Sequence, residues 1–405
     1  MPALDGLAAL AHGTLLSPFT RTTRLLAGIE PGHAATIDMS AGDPREAMPG
    51  FIIDKLAEAK DLFSTYPKIR ASDELRGAIA AWLGRRYGLD GKVDPAREVL
   101  PVNGSREGLF FAALPAVGRK RVDGRPAMLI VNPCYQPYVA AAYATGCEPI
   151  FLNAAAATGH LPDLDALEGE PESLARATAF YVGSPANPQG AVASADYIRR
   201  ALALARRYDF MLFFDECYSE IYSFEPPTGA LQVAAQTPER FANLVVFNSL
   251  SKRSNLPGFR SGFLAGDGDF LQTLAEIRNL TAPQMPGPVQ HASAAVWSEE
   301  QHVTVIRRAY RAKFDVCDEL LSGRFGYRRP DGGFFLWLDA SRLGNSEQAT
   351  LAIWQKCGVK VIPGDYLAQE DSHGINPGRN FIRVALVHDA ATVRQALERI
   401  IKLDA

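Results

Sequence analysis

The sequence lacks the features that a disulfide framework, a metal centre or a membrane span would need. Its five cysteines, Cys134, Cys147, Cys217, Cys317 and Cys357, are odd in number and form no Cys-x-x-Cys pair. That pattern reads as free thiols in a reducing compartment, so the chain is expected in the cytoplasm. Its seven histidines show no His-Glu-x-x-His or comparable spacing, and no metal is expected. No apolar run approaches the roughly 20 residues that cross a bilayer. The longest strand-like runs, at 127–131 and 210–214, are far shorter. Lys and Arg number 42 against 45 Asp and Glu, which leaves none of the basic excess of a nucleic-acid surface. Asp5 precedes any basic segment, so the N-terminus does not read as a signal peptide.

What is present is a core. Hydrophobic residues make up 47% of the 405 positions, enough for two packed domains. The middle of the chain alternates short apolar runs with helical stretches. The runs are VLPVN, AMLIVNP, ATAFYVG, FMLFFDE, NLVVFNS and SGFLAG. They are continuously apolar rather than alternating, as strands buried on both faces are, and they predict an α/β fold with a largely parallel sheet. After about residue 285 the texture shifts to long helical patterns and then a smaller α+β unit. Residues 1–45 show weak periodicity and Pro/Gly breaks and read as an arm belonging to that smaller domain. The expected division is 1–45, 46–287 as the large domain, and 288–405 as the small one.

In an open parallel sheet, ligands bind beyond the carboxyl ends of the strands. The residues there are Gly104-Ser105-Arg106, Tyr135, Asn187 in SPANPQG, Asp215 with Tyr218, and Ser249, Ser251 and Lys252. Each has an ordinary reading. Gly104-Ser105 caps many helices, Asp215 suits a structural salt bridge, Tyr135 suits packing, and a lysine is usually solvated. Each also has a chemical one. A helix start with hydroxyls and Arg260 suits a phosphate dianion. A carboxylate ending a buried strand suits a cationic ring nitrogen. A lysine whose pKa is lowered by burial is a nucleophile. Together they describe a pyridoxal 5′-phosphate site.

These residues, in this order, resemble the class I/II aminotransferases of fold type I over nearly the whole chain. In that family an S-x-S-K segment carries the cofactor-bonding lysine, with a glycine and an arginine following it. Here these are Ser249, Ser251, Lys252, Gly258 and Arg260. N-P-x-G is matched by Asn187-Pro188-Gln189-Gly190, and D-E-x-Y by Asp215-Glu216-Cys217-Tyr218. Tyr135 matches the aromatic that stacks on the cofactor ring. Arg383 in FIRVALV matches the arginine that grips the substrate α-carboxylate, and Gly42 in SAGDP matches the glycine of the N-terminal loop. Tyr66 resembles the tyrosine that reaches the neighbouring subunit's phosphate. The resemblance implies a seven-stranded sheet with one antiparallel strand, a homodimer, and amino acid and 2-oxo acid substrates. It also implies that Lys252 moves the α-proton, while Tyr218 and Asn187 hydrogen-bond the ring oxygen.

A narrower resemblance joins NGSREGLFFA and NSLSKRSNLPGFRSGFLAGD to bacterial N-succinyldiaminopimelate aminotransferases of lysine biosynthesis. It implies transfer between N-succinyl-LL-2,6-diaminopimelate and 2-oxoglutarate. Both carry distal carboxylates, for which Arg21, Arg24, Arg70, Arg106 and Arg253 are candidate partners. An aminotransferase of other specificity and a carbon–sulfur β-lyase stay open. A transcription regulator on this fold would need a DNA-binding domain, and the N-terminal arm is short and not basic.

Overall fold

The computed structural model describes residues 3–13 and 15–403. Among the described residues twelve strands run in chain order. They are β1 (Ile37–Asp38), β2 (Val99–Val102), β3 (Ala127–Asn132), β4 (Glu148–Asn153), β5 (Ala177–Gly183), β6 (Met211–Asp215), β7 (Leu244–Ser249), β8 (Gly262–Gly266), β9 (Phe335–Asp339), β10 (Val359–Lys360), β11 (Ile362–Pro363) and β12 (Phe381–Ala385).

Seven of them form one sheet in the order β2-β8-β7-β6-β5-β3-β4. β8 runs antiparallel to both its neighbours, and the other pairs are parallel. The continuous apolar runs have a simple cause, since successive side chains point to opposite faces and both faces are covered. Phe180, Val182, Leu212, Phe214 and Val246 enter one core. Ala179, Tyr181, Met211, Phe213, Val245 and Phe247 enter the other. Helices pack on both faces. Ser194 caps Ala195–Arg207 through Tyr197 N, and Asp267 caps Gly268–Thr281 through Phe270 N.

β4 reads in the sequence only as a strand end at Asn153. It lies at the sheet edge, pairs only with β3, and is half-buried along its whole length, so its sequence EPIFLN carries no strong apolar signal. The first 45 residues also differ from an irregular arm, because they hold helices Ala3–Ala11 and Pro18–Leu25. The proline that reads as a break is a start. Ser17 accepts from Thr20 N, and Pro18 occupies the first turn, where its missing N–H costs nothing.

A second sheet, β11-β12-β9, is antiparallel, and β1 pairs in parallel with β10. Ile37 and Met39 therefore share a core with Phe314, Leu336, Ile353, Ile382 and Leu397. A small cluster of Ile221, Tyr310, Phe334, Phe335 and Val387, with Tyr218 packed against it, joins this region to the large sheet. No helix among the described residues is long and apolar enough to cross a membrane.

Candidate active site

The register of the large sheet gathers the polar residues at one edge. Asp215 ends β6 opposite Gly183 on one side and Phe247 on the other. β7 ends at Ser249, which caps the short helix Leu250–Arg253 that bears Lys252. Gly262, which opens β8, sits opposite Ser249 and Val102. A Cβ on Gly262 would lie 3.0 Å from Ser105 N, so the start of helix Ser105–Phe111 closes directly on β8.

This closure builds a concave patch of donors. Gly104 has φ +83°, and a Cβ there would strike the Arg260 guanidinium, so only glycine keeps the cradle open. Arg260 is itself left-handed at φ 55° and donates to Pro257 O at 2.8 Å and Asn103 O at 3.1 Å. Ser249 Oγ donates to Ser261 O at 3.1 Å and lies 2.9 Å from Ser251 Oγ. Backbone N–H groups, hydroxyls and a guanidinium are the donor set that a phosphate dianion takes.

Asp215 is held from two sides. Tyr138 donates its phenol hydrogen to Oδ2 at 2.8 Å, and Cys217 N donates to Oδ1 at 3.1 Å. Burial raises the carboxyl above the usual carboxylate range. Among the described residues no cation lies within ion-pair distance of it. A buried anion without a counter-ion fits a ligand that brings one. Tyr138 was missed from the sequence. Its ring stacks on Tyr181 at 4.7 Å and meets Tyr135 edge-on at 5.8 Å. Tyr135 accepts from Arg106 Nε at 2.8 Å.

Lys252 Nζ donates to Gly42 O at 2.5 Å and faces the Phe334 ring at 5.4 Å. Burial, opposed by Asp43 and assisted by Arg383 and Arg106, lowers its pKa from 10.5 to about 8. Cofactor-free protein should therefore show Lys252 reacting with amine reagents at a rate that rises through about pH 8. Labelling followed by peptide mapping across pH 6–11 checks this, and a rise only near 10.5 would contradict it.

Arg383 reaches the same loop. It is buried, donates from Nη2 to Ser40 O at 2.8 Å and from Nη1 to Asn187 Oδ1 at 3.3 Å, and leaves Nε unpartnered. Its guanidinium lies 4.4 Å from the Phe335 ring centroid. Tyr218 meets both Phe334 and Phe335, so the lysine and the arginine share one wall.

Other expected residues stand apart. Tyr66 is fully exposed and joins none of these groups within one chain. Two of the candidate distal cations are used structurally. Arg253 is buried and bonded to Val296 O, Glu299 O and Glu300, and Arg70 donates to Gln272 and to Arg97 O and Val99 O. Arg21 lies over the Tyr366 ring at 3.7 Å, with Asp365 at 3.6 Å. Arg24 is exposed, and Arg106 stands beside the site.

A family model described as aminotransferase class I and II matches residues 34–400. The LL-diaminopimelate aminotransferase of Syntrophobacter fumaroxidans is 30% identical over 404 residues, covering 96% of this chain and 97% of its own. An aminotransferase structure from Neisseria meningitidis superposes with a TM-score of 0.89 at 38% identity, covering 96% of this chain and 97% of that one. A probable N-succinyldiaminopimelate aminotransferase from Thermus thermophilus superposes with a TM-score of 0.81 at 25% identity, covering 95% and 100%. The family match runs from ahead of Gly42 to beyond Arg383, and this chain belongs to the class I and II aminotransferases, which depend on pyridoxal 5′-phosphate.

Proposed function

We propose that this chain transfers an amino group reversibly between N-succinyl-LL-2,6-diaminopimelate and 2-oxoglutarate, with glutamate as the donor in the direction of lysine biosynthesis. The observation that carries an α-amino acid site is Arg383. It is a buried guanidinium with one nitrogen unpartnered, fixed by Asn187 and Ser40 O beside a lysine of lowered pKa. Carboxylates bind such a fork through paired, charge-assisted bonds.

Bound pyridoxal 5′-phosphate supplies an aldehyde and a ring that withdraws electrons from the substrate α-carbon. The chain does the rest. Gly104, Ser105, Arg106, Ser249, Ser251 and Arg260 would hold the phosphate, and Asp215 the ring nitrogen. Tyr135 would cover one ring face, with Tyr218 and Asn187 at the ring oxygen. Lys252, as the neutral amine, would take the substrate α-proton on Nζ and hold it there for return. Gly42 O accepts a hydrogen bond from Nζ and keeps the amine in place between the two transfers. Gly42 and Arg383 position the α-carboxylate.

The chain is further proposed to act as a homodimer, with residues 1–45 and 288–405 in the smaller domain. Ile53, Phe63 and Tyr66 are exposed at 58%, 65% and 100%, and pairing would cover them. Tyr66 would then reach the neighbouring protomer's phosphate.

A second reading, LL-diaminopimelate without the succinyl group, is favoured by the curated relative's name. Glutamate-dependent amination across a panel of 2-oxo acids decides between them. The succinylated acceptor should give the highest kcat/KM. A higher value for the unsuccinylated one selects the second reading, and release of pyruvate, ammonia and thiol from an S-substituted cysteine, supplied in a separate assay, would replace both with a lyase. Arg383→Gln should raise KM for every donor about tenfold to a hundredfold, because the α-carboxylate is common to all of them. An unchanged KM would remove Arg383 from the substrate.

A further inference from the structure

One ion pair ties together two stretches by which the chain passes between cores. The first leads from Ile37 and Met39 to Ile52 through the loop that holds Ser40, Gly42 and Glu46. The second leads from Trp297 to Phe314 along helix Gln301–Leu321, which carries Tyr310 and Lys313. Lys313 Nζ lies 2.6 Å from Glu46 Oε1, donates to Leu386 O at 3.1 Å and stands 4.4 Å from the Tyr310 ring centroid. An ammonium has three hydrogens, and a carboxylate, a carbonyl and a ring face stand ready for them. Lys313 is only 1% exposed, and a buried ammonium is costly unless it is paired, so Glu46 is bound to stay.

Each partner of Lys313 leads to the candidate site. Glu46 stands four residues after Gly42, on the loop that offers Gly42 O to Lys252 and Ser40 O to Arg383. Leu386 follows β12, the strand that bears Arg383, and its N–H donates to Phe334 O at 2.9 Å. Tyr310 stacks on Phe334 at 5.1 Å, and Phe334 faces Lys252. A Cβ on Gly42 would lie 2.6 Å from the Phe335 ring, so the loop is already pressed against the wall that Arg383 shares.

We infer that Lys313 and Glu46 are positioning residues: paired, they fix the Ser40–Gly42 loop against Arg383 and so set how tightly the substrate α-carboxylate is held. The inference rests on Arg383 gripping that carboxylate, and it adds two residues that act through the loop. Glutamine at 46 would keep the size and lose the charge. Methionine at 313 would keep the apolar stem and leave Glu46, whose side chain reaches solvent, hydrated.

The test sets substrate binding against cofactor binding. In the holoenzyme, Glu46→Gln and Lys313→Met should each raise KM for glutamate about fivefold, the scale of one lost hydrogen bond, and change kcat far less. 2-Methylglutamate has no α-hydrogen, and its absorbance titration should show the same weakening without turnover. The double variant should bind no more weakly than either single one, since the pair acts as a unit. Pyridoxal 5′-phosphate affinity of the cofactor-free variants, read by fluorescence quenching, should match wild type, because the pair touches none of the cradle groups. A lower melting temperature with an unchanged KM would overturn the inference and leave the pair as a fold contact. Loss of cofactor affinity equal to the loss of substrate affinity, or additive losses in the double variant, would overturn it too. Arg383→Gln in the same assay separates the two layers. If it raises KM and Glu46→Gln does not, only the role of the pair falls; if neither does, the α-carboxylate reading falls with it.

Discussion

Lys252→Ala is expected to lower kcat by at least about 10⁴-fold, because in the proposed reaction one side chain would both bond the cofactor and carry the proton, and proton transfer alone contributes roughly 10²–10⁴. The structure gives the amine no substitute. Its wall is Phe334, and its hydrogen-bond partner is the Gly42 carbonyl, which accepts a proton donor but holds no proton to give. The variant should also lose the long-wavelength absorbance of the bound cofactor while still binding it through the phosphate cradle. Borohydride reduction of the wild-type holoprotein followed by peptide mapping should tag Lys252. A tag on another residue, or normal turnover in the variant, would end the assignment. The substitution should leave the fold intact, since the lysine is the third residue of a four-residue helix capped by Ser249 rather than part of an apolar core.

The chemistry of this site was more legible in the sequence than its supports. Residues at strand ends announce themselves, because a polar group closing an apolar run such as FMLFFD has little reason to be there structurally. That logic found Asp215, Asn187 and Ser249. It did not find Tyr138, which lies inside helix Gln136–Ala144 and is buried like any core aromatic. Its role follows only from its hydroxyl reaching Asp215 at the end of β6. Arg70 and Arg253 failed for the opposite reason. An arginine's charge is visible in sequence, but the backbone carbonyls that absorb it, such as Val99 O and Val296 O, come from other elements. Lys252 and Arg383 lie far apart in the chain and meet only because the Ser40–Gly42 loop accepts a bond from each. The sheet was readable wherever it was buried on both faces, and at its half-buried β4 edge only the strand end at Asn153 was.

Asp215→Asn is expected to slow turnover about 10³-fold. Two unit charges about 4 Å apart attract by roughly 4 kcal/mol at an effective dielectric near 20, and that much transition-state stabilisation is about a thousandfold in rate. The carboxylate is suited to the role because nothing else in the described residues neutralises it, so a cationic ring nitrogen is the partner that lowers the cost of burying it. Burial alone raises its pKa, and a cation pulls it back down, so each group keeps the other charged near neutral pH. Asparagine keeps the size and lets Tyr138 go on donating to the side-chain oxygen, but it puts an amide hydrogen or removes an acceptor where Cys217 N points, and above all it carries no charge. Tyr138→Phe separates these effects. It removes one hydrogen bond and keeps the charge, so a loss of about tenfold or less is expected. Single-turnover rates at pH 7 to 8, with borohydride still tagging Lys252 in both variants, test the ordering. A rate for Asp215→Asn within tenfold of wild type would mean that the ring nitrogen's charge is held by some other group.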